Sequence, residues 1–381
     1  MRTVQLLCSA AGEWSALRQD WSHDAASSAQ LVLAFGDGRK LKDACTIARL
    51  RERFPVAQIV VCSGNPIAND HRTDAGIVAT AVQFEHSGVK GVSAALPNAE
   101  YSEAVGRSLA SKLERDQLRH VLVFAEGLHV NGSALARGIA AALPVGVTVT
   151  GGLAGDGESF EQTLVGLNSP ATAHQVVLVG LYGARLEIGL GSFGGWEPFG
   201  PDRTITRSDG NVLHELDGRR ALDLYKELLG PLGYALPASG LLFPLKIGQD
   251  AGSMGVIRTI LGVDEAAGSL TYAGDVPTGW NAKLMRTNLD ALIVASRTAA
   301  QQTTSGVAPG RARLALAVSC IGRKLLLQRR VDEELAAVHD VVSTGATLTG
   351  FYSYGELAPA GAQERCELHN QTMTLTTFGE A

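Results

Sequence analysis

The sequence predicts an α/β (α+β) protein in which layered sheets of mixed direction are covered by helices and divided between two domains. Three observations carry that expectation. The chain has 381 residues, more than one compact core usually needs. Its first half alternates apolar, β-branched runs with patterns of helical period. From Gly151 onward, strand-like runs follow one another across turn signals, which favours mixed sheets over a regular βαβ repeat.

Taken in order, residues 1–8 read as a first strand, too short an apolar run for a secretory leader. Residues 30–35 and 58–62 read as buried strands, with a helix over 40–54 ending before Pro55. Residues 74–85 form a strand with Thr80, Val82 and Phe84 on one face. Val105, Leu109 and Leu113 recur at helical spacing and predict a helix over 102–118. A strand over 120–125 and a helix over 131–143, stopped by Pro144, complete the first half. Strands are then expected over 160–167, 174–182, 184–190, 204–207 and 212–216. The last two are joined by the hairpin signal Asp209-Gly210. Gly230-Pro231 closes a helix over 219–229. Beyond it come strands over 239–247, 253–262 and 269–273, a helix over 287–302 and a polar loop over 303–309. A strand over 314–319, a helix over 331–342, and strands over 347–354 and 371–378 finish the chain, which shows no short-period repeat.

Composition narrows the function classes. Hydrophobic residues make up 45% and charged residues 19%, an ordinary globular balance. A net charge of −5 without basic runs excludes a nucleic-acid partner and a membrane-surface helix. No apolar stretch approaches the roughly 18 residues of a membrane span. Five widely spaced cysteines make no disulfide framework and point to reduced thiols in the cytoplasm.

Five motifs are chemically suggestive. Gly189–Gly194 spells G-x-G-x-x-G, but Trp196-Glu197-Pro198 follows instead of a helix, so it reads as a tight connection between strands. The glycines of 151–157, Gly152 and Gly155 beside Asp156, allow close backbone approach to a ligand or a turn at a sheet corner. In 319–323 a strand ends at Cys320, and Gly322-Arg323 follows. Arg323 suits a bidentate carboxylate contact, or else a surface pair with Glu333 or Glu334. In 350–356, alternation places Phe351, Ser353 and Gly355 on one face, and Tyr352, Tyr354 and Glu356 on the other. Residues 366–372 gather Cys366, Glu367, His369, Asn370, Gln371 and Thr372, without the second ligand pair that a structural zinc site requires.

These last segments, together with Glu333-Glu334, resemble the C-terminal domain of the FIST family in order and spacing. Residues 151–156, 195–200, 210–213 and 216–218 resemble its N-terminal domain. One departure shows at Cys62-Ser63-Gly64-Asn65-Pro66-Ile67, where the family tends to Ser-Thr-Ala-Gly-Glu-Ile after the cysteine. The resemblance implies domains over 1–218 and 219–381 and a cytoplasmic sensor of amino acids or related metabolites. It also implies that the signal passes to a separate partner such as a histidine kinase. The expected ligand site comprises Cys320, Gly322, Arg323, Tyr352, Ser353, Tyr354, Glu356, His369, Asn370 and Thr372, with Gly152, Gly155 and Asp156. Some proteins of this architecture sense nitric oxide through haem. That alternative would use an axial histidine, His369 first, then His174, His129 or His86. A further alternative is a hydrolase or transferase with Cys320 as nucleophile, His369 as base and an oxyanion hole at Ile321–Gly322. Between these, a non-enzymatic sensor is the expectation.

Overall fold

Three times along the chain a strand runs through a helix into a parallel strand at its side. Leu31–Gly36 pairs in this way with Gln58–Ser63, Leu118–Ala125 with Thr148–Leu153, and Leu314–Cys320 with Thr347–Ser353. The connecting helices include Ala44–Arg53, Gly132–Ala142 and Val331–Val342. Nearly every residue of these six strands is buried, as expected of parallel strands covered on both faces. The computed structural model describes residues 1–19, 28–68, 76–249, 255–308, 310–342, 345–360 and 365–381.

Each parallel pair is extended by the same rule. An antiparallel strand later in the chain lies beside the first strand of the pair: Ile77–Gln83, Gln175–Tyr182 and Met373–Glu380 respectively. Beyond it lies an earlier antiparallel strand: Arg2–Cys8, Gly88–Ala95 and Leu186–Phe193. The three sheets therefore share one topology, a threefold repeat carried by strand order and not by residue identity.

A short strand leaves each unit for the edge of another. Pro66–Ala68 pairs with Thr347–Ser353, Val165–Leu167 with Gln58–Ser63, and Gly355–Pro359 with Thr148–Leu153. These exchanges run in a ring and cover edges that would otherwise expose unpaired backbone groups. Phe35, Phe124 and Phe351, one from each sheet, meet inside with ring centroids 4.9, 5.9 and 6.3 Å apart.

A fourth sheet is inserted between Leu186–Phe193 and Leu314–Cys320. Its order is Val256–Arg258, Leu245–Gly248, Asn281–Arg286, Glu197–Asp209, Val212–Leu216, Ser269–Tyr272, Ile260–Asp264. The expected hairpin at Asp209-Gly210 forms, with Asp209 opposite Val212. The position 218/219 lies within this sheet, between Val212–Leu216 and the paired segment Arg219–Arg220. Helix Ala221–Leu229 packs its buried Leu222, Leu224 and Tyr225 into the same core.

Several elements differ from expectation for local reasons. The helix expected over 40–54 is two helices, Gly38–Leu41 and Ala44–Arg53, because the Asp43 carboxylate accepts from Cys45 N at 2.9 Å and starts a second one. The helix expected over 102–118 ends at Ser111, and Gln117, at φ 54°, turns the chain into the next strand. Of 160–167 only Val165–Leu167 is a strand. Asp156 accepts from the amides of Phe160, Glu161 and Gln162 at 2.8–2.9 Å and holds the approach as a turn. Of Gly189–Gly194 only Gly194 lies in a connection between strands. Gly189 and Gly191 lie within the strand Leu186–Phe193, against the backbone of helix Leu289–Gln302 and its final turn, so that the helix sits close on the sheet. After Cys320 the chain opens directly into a helix, Ile321–Leu327. Only Leu245–Gly248 of the segment 239–247 is a strand. Residues 74–75, 253–254 and Pro309, parts of three expected elements, lie outside the described residues. Among the described residues no helix is long and apolar enough to cross a membrane.

Candidate functional site

At the carboxyl ends of Leu118–Ala125 and Leu314–Cys320 the chain turns into helices, the usual place for a ligand crevice in an α/β sheet. Residues 259–261 and 272–275 of the inserted sheet face these ends. Between them lies a cavity of about 700 Å³. Its wall is mainly apolar, with Leu128, Val130, Ile260 and Leu325 among the residues that line it. The described lining includes no lysine, arginine or histidine. Asp275 lines it too, and accepts from Asn131 Nδ2 at 2.9 Å and Arg137 Nη1 at 3.0 Å.

Asn370 stands out in this wall. It is 1% exposed, and neither Oδ1 nor Nδ2 has a hydrogen-bond partner among the described residues. The Thr259 hydroxyl, also in the wall, is likewise without one. A buried amide left unpaired costs roughly 1–3 kcal/mol, so a fold that keeps one in an apolar chamber gains by its meeting something else.

Arg323 is placed differently from the expected carboxylate clamp. Its side chain is fully buried and all five donors are spent inside the protein. Nε donates to Glu334 Oε1 at 2.8 Å, Nη2 to Leu292 O and Ser296 Oγ, and Nη1 to Gly194 O and Gln371 O. Glu334 also accepts from Tyr352 OH at 3.1 Å and Ser319 Oγ at 3.4 Å. The pairing with Glu334 is real, but it is interior and not a surface contact. Arg323 and Tyr352 thus fix the base of the helix beside the cavity and offer nothing to a ligand.

The alternation expected over 350–356 does not survive Tyr354. There the chain leaves one sheet and enters another, so Ser353 and Glu356 face each other instead of opposite sides. Ser353 Oγ donates to Glu356 Oε1 at 2.6 Å, and Thr372 donates to Oε2 from N and Oγ1 at 3.1 and 2.9 Å. Burial outweighs these bonds and the nearby Arg323 charge, and pushes the Glu356 carboxyl up to about 7. The folded state therefore binds this proton more tightly than the unfolded chain does. Its contribution is complete below the ordinary glutamate range and is lost as pH rises through about 7, a change of about 3 kcal/mol. Glu356→Gln should remove that slope. Urea melts from pH 5 to 8 should show the variant gaining on the wild type with pH, and parallel curves would refute a raised Glu356.

The remaining residues divide between wall and interior. Tyr354 lines the cavity; its hydroxyl donates to Asp156 and its ring stacks on Phe160 with centroids 4.6 Å apart. Asp156 is thereby a turn-holding residue. Gly155 packs under Tyr354, Gly152 against Val318, and Gly322, in the wall, against the Gln371 amide. Cys320 lines the cavity, but burial pushes its thiol well up and keeps it protonated. His369 lies behind the wall with Nε2 on Ala358 O at 3.1 Å, and burial lowers its imidazole to about 4. Among the described residues no hydrogen bond joins Cys320 to His369. His369, the first candidate for an axial haem ligand, has its Nε2 taken by a backbone carbonyl and is not among the described residues that line the cavity. In the loop that departs from the family pattern, Ser63 bonds Leu164 N and Gly155 N and takes no part in the wall.

Three polar wall residues had no signal in the sequence. Asn131, Thr259 and Asp275 come from separate segments, and only the tertiary fold brings them into one wall with Asn370.

Comparison with known proteins adds to this geometry. The family described as the FIST N domain matches residues 30–219, and the FIST C domain matches residues 221–359. Two uncharacterized proteins, from Mycobacterium bovis and Mycobacterium tuberculosis, are each 28% identical to the chain over 223 residues. That match covers 54% of this chain and 55% of each relative, so the chain spans about half the length of these relatives. A cyanuric acid hydrolase from A. caulinodans aligns over 93% of this chain and 91% of its own. Its 10% identity and TM-score of 0.34 carry neither fold nor activity across.

Proposed function

The chain belongs to the FIST sensory domain family, and on that premise we propose that it senses a small metabolite, an amino acid or a related compound, inside the cell. The observation that carries the proposal is the Asn370 amide, buried and without a partner among the described residues, in the wall of a cavity of about 700 Å³. An amide presents a donor and an acceptor side by side. It complements a ligand with the same pair, such as a carboxamide, a lactam, or the carboxylate and ammonium of an amino acid. The apolar wall favours a ligand with an apolar body, and the lack of a cation among the described lining residues disfavours multiply charged anions. On this reading the chain binds its ligand without transforming it. Binding would alter the surface offered to a separate output protein, a histidine kinase being the natural candidate.

Extraction and mass spectrometry of what copurifies, followed by a thermal-shift panel of amino acids and their amides, tests the reading. A responding ligand should raise the melting temperature of the wild type but not of Asn370→Leu. The variant itself should be as stable as the wild type or more so, because it removes an unpaired polar group. An empty extract together with an unresponsive panel would sink the proposal.

A further inference from the structure

The loop that forms one side of the cavity has a second face. Gly127, Leu128 and Val130 line the chamber, while Glu126 and His129 belong to a different group of side chains. There they meet His174, at the start of the strand Gln175–Tyr182, and one ligating atom from each of the three lies within 4.8 Å of the others. His129 Nδ1 is 3.4 Å from Glu126 Oε2, and the two imidazole rings are 4.7 Å apart at 36°.

Two features set this group apart from a chance surface cluster. The Glu126 carboxylate is only 1% exposed. It is held by the amides of Leu128 and His129, at 3.1 and 2.7 Å, and by Thr163 Oγ1 at 3.1 Å. A buried carboxylate oriented by outer hydrogen bonds is how proteins prepare a metal ligand, and a cation would supply the charge that burial leaves uncompensated. Further, His174 sits at φ 55°, a left-handed conformation that costs a non-glycine residue on the order of 1 kcal/mol and brings its ring to His129.

We infer that Glu126, His129 and His174 form a binding site for a divalent transition-metal ion such as zinc. Two imidazole nitrogens and one carboxylate oxygen suit zinc, cobalt or nickel better than magnesium or calcium, which prefer all-oxygen shells. His129 is 55% exposed, which leaves the remaining coordination positions to water. Because Glu126 and His129 flank the residues that line the chamber, an ion there would stiffen that wall. The site does not depend on the sensory reading and stands or falls separately from it.

The full chain, stripped with a chelator, is titrated with zinc by calorimetry and with cobalt by visible absorption. The expected result is one zinc ion per chain and a cobalt band typical of nitrogen and oxygen ligands. His129→Ala and His174→Asn should each weaken binding at least about tenfold. Asparagine is chosen at 174 because it tolerates the left-handed backbone. Both variants should keep the metal-free melting temperature within a few degrees, so that lost binding is not lost folding. Absence of stoichiometric binding overturns the inference, and so does binding that both variants leave unchanged.

Discussion

Gly350→Ala is expected to destabilise the protein by about 4 kcal/mol or more, enough to strip it from the soluble fraction. Gly350 lies in the strand Thr347–Ser353 at φ 155°, and a Cβ built there falls 1.7 Å from the carbonyl oxygen of Ala317 in the parallel neighbour. That oxygen belongs to a buried strand paired on both sides, so it has nowhere to move. Gly151 repeats the arrangement in its own unit, at φ 148° and 1.9 Å from the Val123 oxygen, and its alanine variant should fail in the same way. Gly210→Ala is the informative control. Its φ is 54° in a hairpin turn with nothing within 4 Å, so it should cost only about 1 kcal/mol. Soluble yield and urea melts decide the matter. A Gly350→Ala protein that melts within about 1 kcal/mol of the wild type would show that the parallel pair can open and relax.

Arg323→Met should cost about 3–5 kcal/mol, because it leaves the Glu334 carboxylate buried without its partner. Glu334→Leu should cost a similar amount for the reverse reason, and it also removes the acceptor of the Tyr352 and Ser319 hydroxyls. The double variant is the discriminating case. It removes both charges at once, so its loss should fall short of the sum of the single losses by about 2 kcal/mol or more. Denaturant melts of the four proteins measure this coupling. Strictly additive losses would mean that Arg323 acts through the backbone carbonyls of Leu292, Gly194 and Gln371 and not through Glu334.

That ion pair also marks how far the residues themselves can be read. Helix Val331–Val342 has the expected bounds, and its buried residues Val331, Leu335, Val338 and Val342 form one stripe that also contains Glu334. A carboxylate on an apolar stripe is a signal of an interior partner, and Arg323 was among the candidates to answer it. The central strands were legible because long runs of buried, β-branched residues leave few alternatives. Of the three short exchange strands, Val165–Leu167 was legible only as the end of a longer expected strand, and Pro66–Ala68 and Gly355–Pro359 were not, since three to five residues carry too little pattern and their pairing depends on other units. Asn370 was legible as a candidate, but its lack of a partner is a property of the cavity alone. Tyr352, Tyr354 and Glu356 were read as sharing one face because alternation takes one sheet for granted, and the chain changes sheets at Tyr354.

The ring of exchanged strands also governs the order in which this molecule can be made. Met373–Glu380 comes last in sequence among the elements, yet it lies inside its sheet between Leu186–Phe193 and Leu314–Cys320. The strand Gln58–Ser63 awaits Val165–Leu167 on its outer side, and Thr148–Leu153 awaits Gly355–Pro359. During vectorial synthesis the first unit thus emerges with an open edge that is closed only after about a hundred further residues have been made, and the second waits twice as long. Pairings at such sequence separations form slowly and expose strand edges meanwhile. The nascent chain, rather than the finished protein, is where aggregation threatens and where a chaperone would be needed most.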